Sequence, residues 1–210
     1  MLSQKLAKFF IVASLLNFAL LVSAKETSIK SSASNTGGYV RQFTEVAANL
    51  SVRNPYGAKH YIESEHFAYW YGDDFLGREN ELYPELERLE YSWLQLIERQ
   101  GYLAPLDNYK LNVYLEKAGS DAVPYEGYTG HVKTDAQGYP FIMMGKAILE
   151  FELRDARLHS SHEFFHTIQY AYAAGGDIFR DSAGWFMEAS AGWAAIDVWQ
   201  EPLIMQNYLF

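Results

Sequence analysis

The chain contains no cysteine. This absence excludes a disulfide framework, a thiolate metal site and a lipid-modified cysteine behind a signal sequence. Basic residues are also few, with 17 Lys and Arg against 26 Asp and Glu and a formal net charge of −9. Because the sequence shows no basic patch, we expect no nucleic acid partner. The fold must be stabilised by core packing or by a bound metal.

A full-length membrane span is also lacking at the N-terminus. Two lysines precede an apolar run over residues 9–22, which is about 14 residues long, whereas a spanning helix needs roughly 20. Small residues at 22–24 then offer the pattern that signal peptidase reads. Residues 1–24 are therefore predicted to be a signal peptide of a secreted or periplasmic (extracytoplasmic) protein. An uncleaved membrane anchor is the alternative.

Composition divides the rest of the chain into two parts. Residues 25–58 begin with a stretch rich in Ser, Thr, Asn and Gly and are predicted to be a linker or pro-segment. Residues 59–210 are predicted to form one folded domain, since 49% of the chain is hydrophobic and 16% is aromatic. No stretch after the last predicted helix resembles a domain end, so a domain that is incomplete at Phe210 is an open alternative.

The first half of this domain shows strand-like and helix-like periodicities. Residues 61–71 are aromatic-rich and predict one strand, and residues 109–115 alternate as a second strand does. Apolar residues between them recur at steps of three and four, which predicts a helix ending at Gly101. They are Leu82, Leu86, Leu89, Trp93, Leu96 and Ile97.

A hairpin and two helices are predicted in the second half. Residues 128–133 and 139–144 flank a turn-like segment, and Pro140 makes the second arm an edge strand or a strand that starts there. The first helix is predicted to begin at Asp155 and to stop at the glycine pair 175–176. The second should begin near Asp181 or Ser182 and run through Trp199. This order favours an α+β fold with a mainly antiparallel sheet packed against helices.

The first of these helices carries a His-Glu-x-x-His motif. His162 and His166 are four residues apart, so they share one helix face and could converge on one Zn²⁺ at about 2.0–2.1 Å. Glu163 directly follows the first ligand, and its carboxylate could approach a water on the metal without binding the ion. An accidental motif, on a surface helix of an exported binding module, is the alternative.

A catalytic zinc takes three protein ligands and keeps one position open. Glu188 is a single acid inside the apolar run Trp185–Ala191. A carboxylate that is buried there without a partner would cost several kcal/mol, and a metal is one such partner. A capping or salt-bridged glutamate is the alternative.

These two motifs together resemble the gluzincin zinc metallopeptidases. In that family a glutamate in a W-x-x-E-x-x-A setting follows the first motif by some twenty residues, and here 21 residues separate His166 from Glu188. The run His162–Gln169 is also similar to secreted bacterial metalloproteases. The firm part of the resemblance covers residues 155–200.

The resemblance implies a zincin-like catalytic domain over residues 59–210, with a mainly antiparallel sheet on an active-site helix and a following glutamate helix. It implies Zn²⁺ held by His162, His166 and Glu188, with Glu163 as the general base that hydrolyses peptide bonds in peptide or protein substrates. An endopeptidase is favoured over an aminopeptidase, since no acidic motif for a free N-terminus is evident. The alternative function is a non-catalytic, zinc-stabilised exported surface or binding protein.

The residues around the site are less well defined by the sequence. Some gluzincins have an acid that supports a histidine four residues after the ligand glutamate, and this position is Gly192 here. Asp197 could instead orient a ligand histidine through its ring N–H. His159 is expected to be a surface or supporting residue and His131 a structural one. The resemblance to zincins also implies that the arm 139–144, if it is an edge strand, could bind an extended peptide by β-addition. Candidate transition-state donors are Tyr125, Tyr128, Tyr170 and Tyr172.

Overall fold

The computed structural model describes residues 50–120, 122–123, 130–173 and 184–201. These residues form an α+β fold of five strands and three α-helices. The strands are β1 (His60–Glu63), β2 (Phe67–Tyr71), β3 (Leu111–Leu115), β4 (Gly130–Thr134) and β5 (Pro140–Met144). The helices are α1 (Tyr83–Trp93), which continues as a π-helix over Leu94–Arg99, α2 (Leu153–Tyr172) and α3 (Gly184–Trp199). Short 3₁₀ turns occupy Asp73–Phe75, Glu79–Glu81 and Lys146–Glu150.

The sheet has the order β1-β2-β3-β5-β4 and is mixed. Its three inner strands β2, β3 and β5 are parallel, whereas β1 and β4 pair antiparallel at the two edges. The prediction of a mainly antiparallel sheet is therefore wrong. The physical reason is α1, which carries the chain across one face of the sheet between β2 and β3, and such a crossover brings the next strand in parallel.

The predicted strand over residues 61–71 is in fact a hairpin of β1 and β2. Glu63 pairs with Ala68, and the backbone N–H of Ser64 donates to the carbonyl of Phe67 across the turn. The polar residues 63–66 interrupt the aromatic run at this turn. All five residues of β2 are buried, as expected for an inner strand.

The second predicted hairpin is confirmed for the part that the structure describes. Thr134 of β4 pairs with Pro140, which is the first residue of β5. Pro140 thus starts a strand, but β5 lies inside the sheet and β4 forms the edge. The expectation that the arm 139–144 is the peptide-binding edge is wrong for this reason.

Two hydrophobic clusters hold the sheet between its covering elements. On one face Phe67 of β2 packs on Phe164 of α2 and Trp93 of α1, with ring centroids 5.5 and 6.0 Å away. On the other face Trp70 and Tyr114 belong to a smaller cluster. Residues 50–58, predicted as the end of a linker, cover that cluster through Val52, Tyr56 and Ala58.

Helix boundaries agree with the sequence to within a few residues. The cap of α2 is Glu152 rather than Asp155, and α3 ends at Trp199 as predicted. The signal peptide, most of the linker, the glycine pair 175–176 and the predicted start of α3 lie outside the described residues. Among the described residues, no helix is both long and apolar enough to cross a membrane.

Buried polar contacts tie the three helices together. The carboxylate of Glu85 in α1 is fully buried and accepts hydrogen bonds from Ser160 of α2 and from Arg88. Ser161 of α2 bonds Ser92 of α1, and the indole N–H of Trp199 in α3 donates to Ser161 at 2.7 Å. Because unpaired buried polar groups are costly, these contacts fix how α2 sits between its neighbours.

The β1–β2 turn is fastened to α1 by an ion-pair contact. The backbone N–H of His66 donates to Glu90 at 2.8 Å, and its ring Nδ1 lies 2.7 Å from the other oxygen of that carboxylate. The His66 ring also stacks on Trp93 at 4.1 Å. Burial raises the pKa of Glu90, but the hydrogen bonds from His66 outweigh it and hold the pKa below its usual value.

This contact predicts a pH-dependent contribution to the free energy of unfolding. A carboxyl with a depressed folded pKa stabilises the protein fully above the unfolded pKa of about 4.3, and the stabilisation is lost as the pH falls through the folded pKa. We expect Glu90→Gln to lower the free energy of unfolding in urea more at about pH 6 than at about pH 3. Glu87→Gln, on the exposed side of the same helix, should have little effect at either pH. An equal cost of Glu90→Gln at both pH values would contradict this role.

Candidate metal site

The predicted site residues lie where α2 meets α3 and the β4 end of the sheet. His166 and Glu163 are buried, His162 is partly buried, and Glu188 projects from α3 with an exposed side chain. α2 packs on β4, β5 and α3. Most of α2 is therefore buried, and one of its faces is partly exposed beside α3.

Three donor atoms converge at this junction. Nε2 of His162 lies 3.0 Å from Nε2 of His166 and 3.1 Å from Oε2 of Glu188, and the third distance, from His166 to Glu188, is 3.6 Å. In the part of the chain that the structure describes, this is the one group of three or more His, Asp or Glu residues close enough to hold a metal ion. Two histidines from one helix and a glutamate that follows them by 22 and 26 positions thus form one compact triangle.

The triangle has the dimensions of one face of a tetrahedral zinc site. With bonds of about 2.0–2.1 Å, ligand atoms around tetrahedral zinc lie about 3.3 Å from one another. The three observed separations of 3.0, 3.1 and 3.6 Å bracket that value. Two imidazole nitrogens and one carboxylate oxygen are also a donor set of catalytic zinc, with the fourth position left open. The spacing and the chemistry of the three donor atoms are therefore compatible with Zn²⁺.

The charges of the metal-free site favour a cation. Hydrogen bonds with His162 and then with His166 hold the pKa of the Glu188 carboxyl well below its usual range. Burial lowers the pKa of His166, but Glu188, Glu163 and Gln169 outweigh it and leave the pKa above its usual value. Glu188 is thus ionised at neutral pH, and its carboxylate offers a negative charge to a divalent cation.

Glu163 is not part of the triangle, but its carboxylate is near enough to His166 to raise the pKa of that imidazole. Its side chain is only 7% exposed, and Oε1 lies 3.9 Å from Nε2 of His159, one helical turn earlier. Gly130, the first residue of β4, lies so close that an added Cβ would be 2.6 Å from Cγ of Glu163 and 2.5 Å from Nε2 of His159. The absence of a side chain at Gly130 therefore leaves the space that the Glu163 carboxylate occupies.

His159 faces Glu163 from the same side of α2. It is one of the supporting or surface histidines expected from the sequence, and its ring also lies edge-on to Phe151. Within the described residues its Nε2 is buried and makes no hydrogen bond. His159 is therefore a neighbour of the expected base, while His131 lies in β4 outside the metal-ligand group.

The residue that supports a ligand histidine is not the one expected. Asp197 accepts a hydrogen bond from Gln100 at 2.8 Å, so its proposed role in orienting a histidine is wrong. Nδ1 of His166 instead lies 2.7 Å from Oε1 of Gln169. The sequence signal for this contact was available, because residues three apart on a helix are neighbours.

The transition-state donor stays without an assignment. The hydroxyl oxygen of Tyr172 accepts from the backbone N–H of Leu103 at 3.3 Å, near the end of α2. Tyr170 is half-buried in the same turn. Tyr125 and Tyr128 lie outside the described residues.

Comparison of the chain with models of protein families, with curated proteins and with solved structures found no match. The chemistry of the site is therefore inferred from its residues and their geometry.

The triangle predicts one zinc ion per chain. We expect metal analysis of the purified protein after dialysis to give about one zinc, and His166→Ala to abolish this stoichiometry because it removes one of three ligands. His60→Ala is the matched control, since His60 pairs with Asp73 in the β1 region and lies outside the triangle. Zinc loss in both variants, or retention in both, would show that the triangle is not the binding site.

Proposed function

We propose that this chain is an exported, zinc-dependent metallopeptidase that hydrolyses peptide bonds in peptide or protein substrates. The observation that carries the proposal is the triangle of His162, His166 and Glu188, together with the buried carboxylate of Glu163, which lies outside the triangle and acts on the charge of His166. A zinc-binding triad alone would serve structure as well as catalysis. A buried fourth group with no ligand role is what hydrolysis additionally needs.

The proposed hydrolysis needs contributions from the metal ion and from the side chains around it. Bound zinc would polarise the scissile carbonyl and lower the pKa of a water, the usual contributions of a catalytic zinc. His162, His166 and Glu188 hold the ion. Glu163 accepts the proton of the attacking water and passes it to the nitrogen of the leaving amine. Its shielded position between α2 and β4 supports this role, because a water-poor site keeps the proton transfer between the reacting groups.

The architecture supports a zincin-like fold. The motif helix α2 packs on the sheet through β4 and β5, and the glutamate helix α3 packs on α2. The edge strand β4 begins at Gly130, beside Glu163.

Two further features of the proposal rest on the sequence. Residues 1–24 have the pattern of a signal peptide, which supports a secreted or periplasmic location. No acidic motif for a free N-terminus is evident, which supports an endopeptidase rather than an aminopeptidase. The second candidate, a non-catalytic zinc-stabilised surface or binding protein, would need the triangle alone and gives no reason for the buried Glu163.

Substitution of the two glutamates separates catalysis from metal binding. Glu163→Gln keeps the shape of the side chain but removes the base, so hydrolysis of an unfolded protein substrate should fall by roughly 10²–10⁴-fold. Zinc content and melting temperature should stay near those of the wild type. Glu188→Gln weakens a ligand, so zinc and activity should be lost together.

The opposite pattern would reverse the two roles. If Glu163→Gln lost the metal while Glu188→Gln kept it, Glu163 would be the ligand. If zinc were bound and neither substitution changed hydrolysis, the zinc-stabilised surface protein would become the better account.

Gly130 offers a test of the space around the base. A methyl group at this position would lie 2.6–2.7 Å from Cγ and Cδ of Glu163, so the Glu163 side chain must move. Displacement of a catalytic group by about 1 Å can cost 10²-fold in rate. We expect Gly130→Ala to lower kcat by about that factor with zinc retained.

Gly192→Ala is the matched control for this change. Gly192 lies in α3, and an added Cβ there would meet nothing within 4 Å. The control should therefore keep its activity. Full activity in Gly130→Ala would contradict the placement of the base against β4.

A further inference from the structure

Gln169 connects the two helices that carry the metal ligands. Its Oε1 lies 2.7 Å from Nδ1 of His166, and its Nε2 lies 3.0 Å from the carbonyl oxygen of Met187 and 2.8 Å from Oγ of Ser190. The side chain is buried, with 8% of the residue exposed. One amide thus contacts a ligand histidine on α2 and the backbone beside ligand Glu188 on α3.

The direction of this amide follows from its partners. The carbonyl oxygen of Met187 only accepts hydrogen bonds, so the group that faces it must be the NH₂ of Gln169. Ser190 agrees with this direction, because its hydroxyl donates to the carbonyl of Phe186 at 2.7 Å and leaves its oxygen free to accept. The carbonyl oxygen of Gln169 therefore faces His166.

An acceptor at Nδ1 selects the tautomer of His166. The amide oxygen of Gln169 can only accept, so Nδ1 of His166 must carry the proton in this contact. Nε2 of the neutral ring then carries a lone pair rather than a proton, and Nε2 is the atom that lies 3.0 Å from Nε2 of His162 in the triangle. The ring is thereby set in the form that binds a metal before any metal arrives.

The other end of Gln169 fixes the position of α3. Both of its donors are used on residues 187 and 190, which lie on either side of Glu188 along the helix. α3 could slide or rotate along α2 only if these two hydrogen bonds broke in a buried place, which is unfavourable. The same side chain therefore aligns the third ligand with the second.

We propose that Gln169 is a positioning residue that sets the tautomer of His166 and the register of α3 on α2, and so preorganises the three metal ligands. The proposal deepens the proposed function and rests on it for the identity of the metal. Its first part, the tautomer of His166, holds for the metal-free protein and is tested there, whereas the helix register is tested through zinc affinity.

Two substitutions separate the two contacts. Gln169→Leu removes both the acceptor for His166 and the donors for α3. Gln169→Glu keeps an acceptor for Nδ1–H but places a carboxylate against the carbonyl of Met187. Ser190→Ala is the matched control for the tautomer alone, since it removes one of the two α3 contacts and leaves those with His166 and Met187.

The first readout is the tautomer of His166, measured by ¹⁵N NMR of the histidine rings in metal-free protein at alkaline pH. Wild type, Ser190→Ala and Gln169→Glu should show a protonated Nδ1, and Gln169→Leu should shift toward a protonated Nε2. The second readout is zinc affinity in competition with a chelator. Supporting partners of ligand histidines are typically worth about 10–100-fold in metal affinity, so Gln169→Leu should bind zinc weaker by that factor and Gln169→Glu by less.

Retention of the Nδ1–H tautomer and of wild-type zinc affinity in Gln169→Leu would overturn the proposal. If wild type bound no zinc but the tautomer shifted as expected, the proposed function would fail and the positioning by Gln169 would stand. Circular dichroism of each variant shows whether it is folded. If Gln169→Leu does not fold, Gln169→Glu decides the test. Loss of the Nδ1–H tautomer in folded Gln169→Glu would also overturn the proposal.

Discussion

The packing of α2 against α3 is the constraint on which the geometry of the site depends. Two ligands and the expected base come from a single helix, where a spacing of four residues brings the two ligand histidines to one face. The third ligand comes from α3, so its distance from the other two is set by how the helices pack. The buried contacts of Ser161 with Trp199 and of Gln169 with Met187 hold that packing on either side of the site. The metal triangle is the local result of this interface.

The sheet sets the other boundary of the site. Phe164 points from α2 into the core, where it contacts Phe67 and Trp93. This contact holds the helix on the sheet, while Glu163, the preceding residue, meets the start of β4. Gly130 is placed where any side chain would collide with that carboxylate. One turn of α2 is thereby enclosed between an edge strand and a second helix, and the enclosure gives the carboxylate its low exposure.

Much of the site could be predicted from the sequence, because its signals are local. The spacing of His162 and His166 determines one helix face. The burial argument for Glu188 fails, because its side chain is 59% exposed, and only the spacing of the family motif indicated this residue. The sheet was harder to predict, because its strand pairing depends on contacts between distant residues. The polar residues 63–66 divide one apparent strand into a hairpin, and the helix between β2 and β3 makes these two strands parallel. Asp197 follows Glu188 by nine residues, but its carboxylate pairs with Gln100 and orients no ligand histidine among the described residues. Gln169 supports His166 instead, because it lies three residues away on the same helix. The close approach of Gly130 to Glu163 joins positions 33 residues apart and has no signature in the sequence.

The central claim is that three side chains from two helices hold one zinc ion while Glu163 stays outside the coordination sphere. Anomalous diffraction at the zinc edge, from crystals of the zinc-loaded protein, tests it most directly. The account predicts a single strong peak at about 2.0–2.1 Å from Nε2 of His162, Nε2 of His166 and a carboxylate oxygen of Glu188, with both oxygens of Glu163 beyond bonding distance. A peak bonded to Glu163, or one that lies away from the triangle, would contradict it.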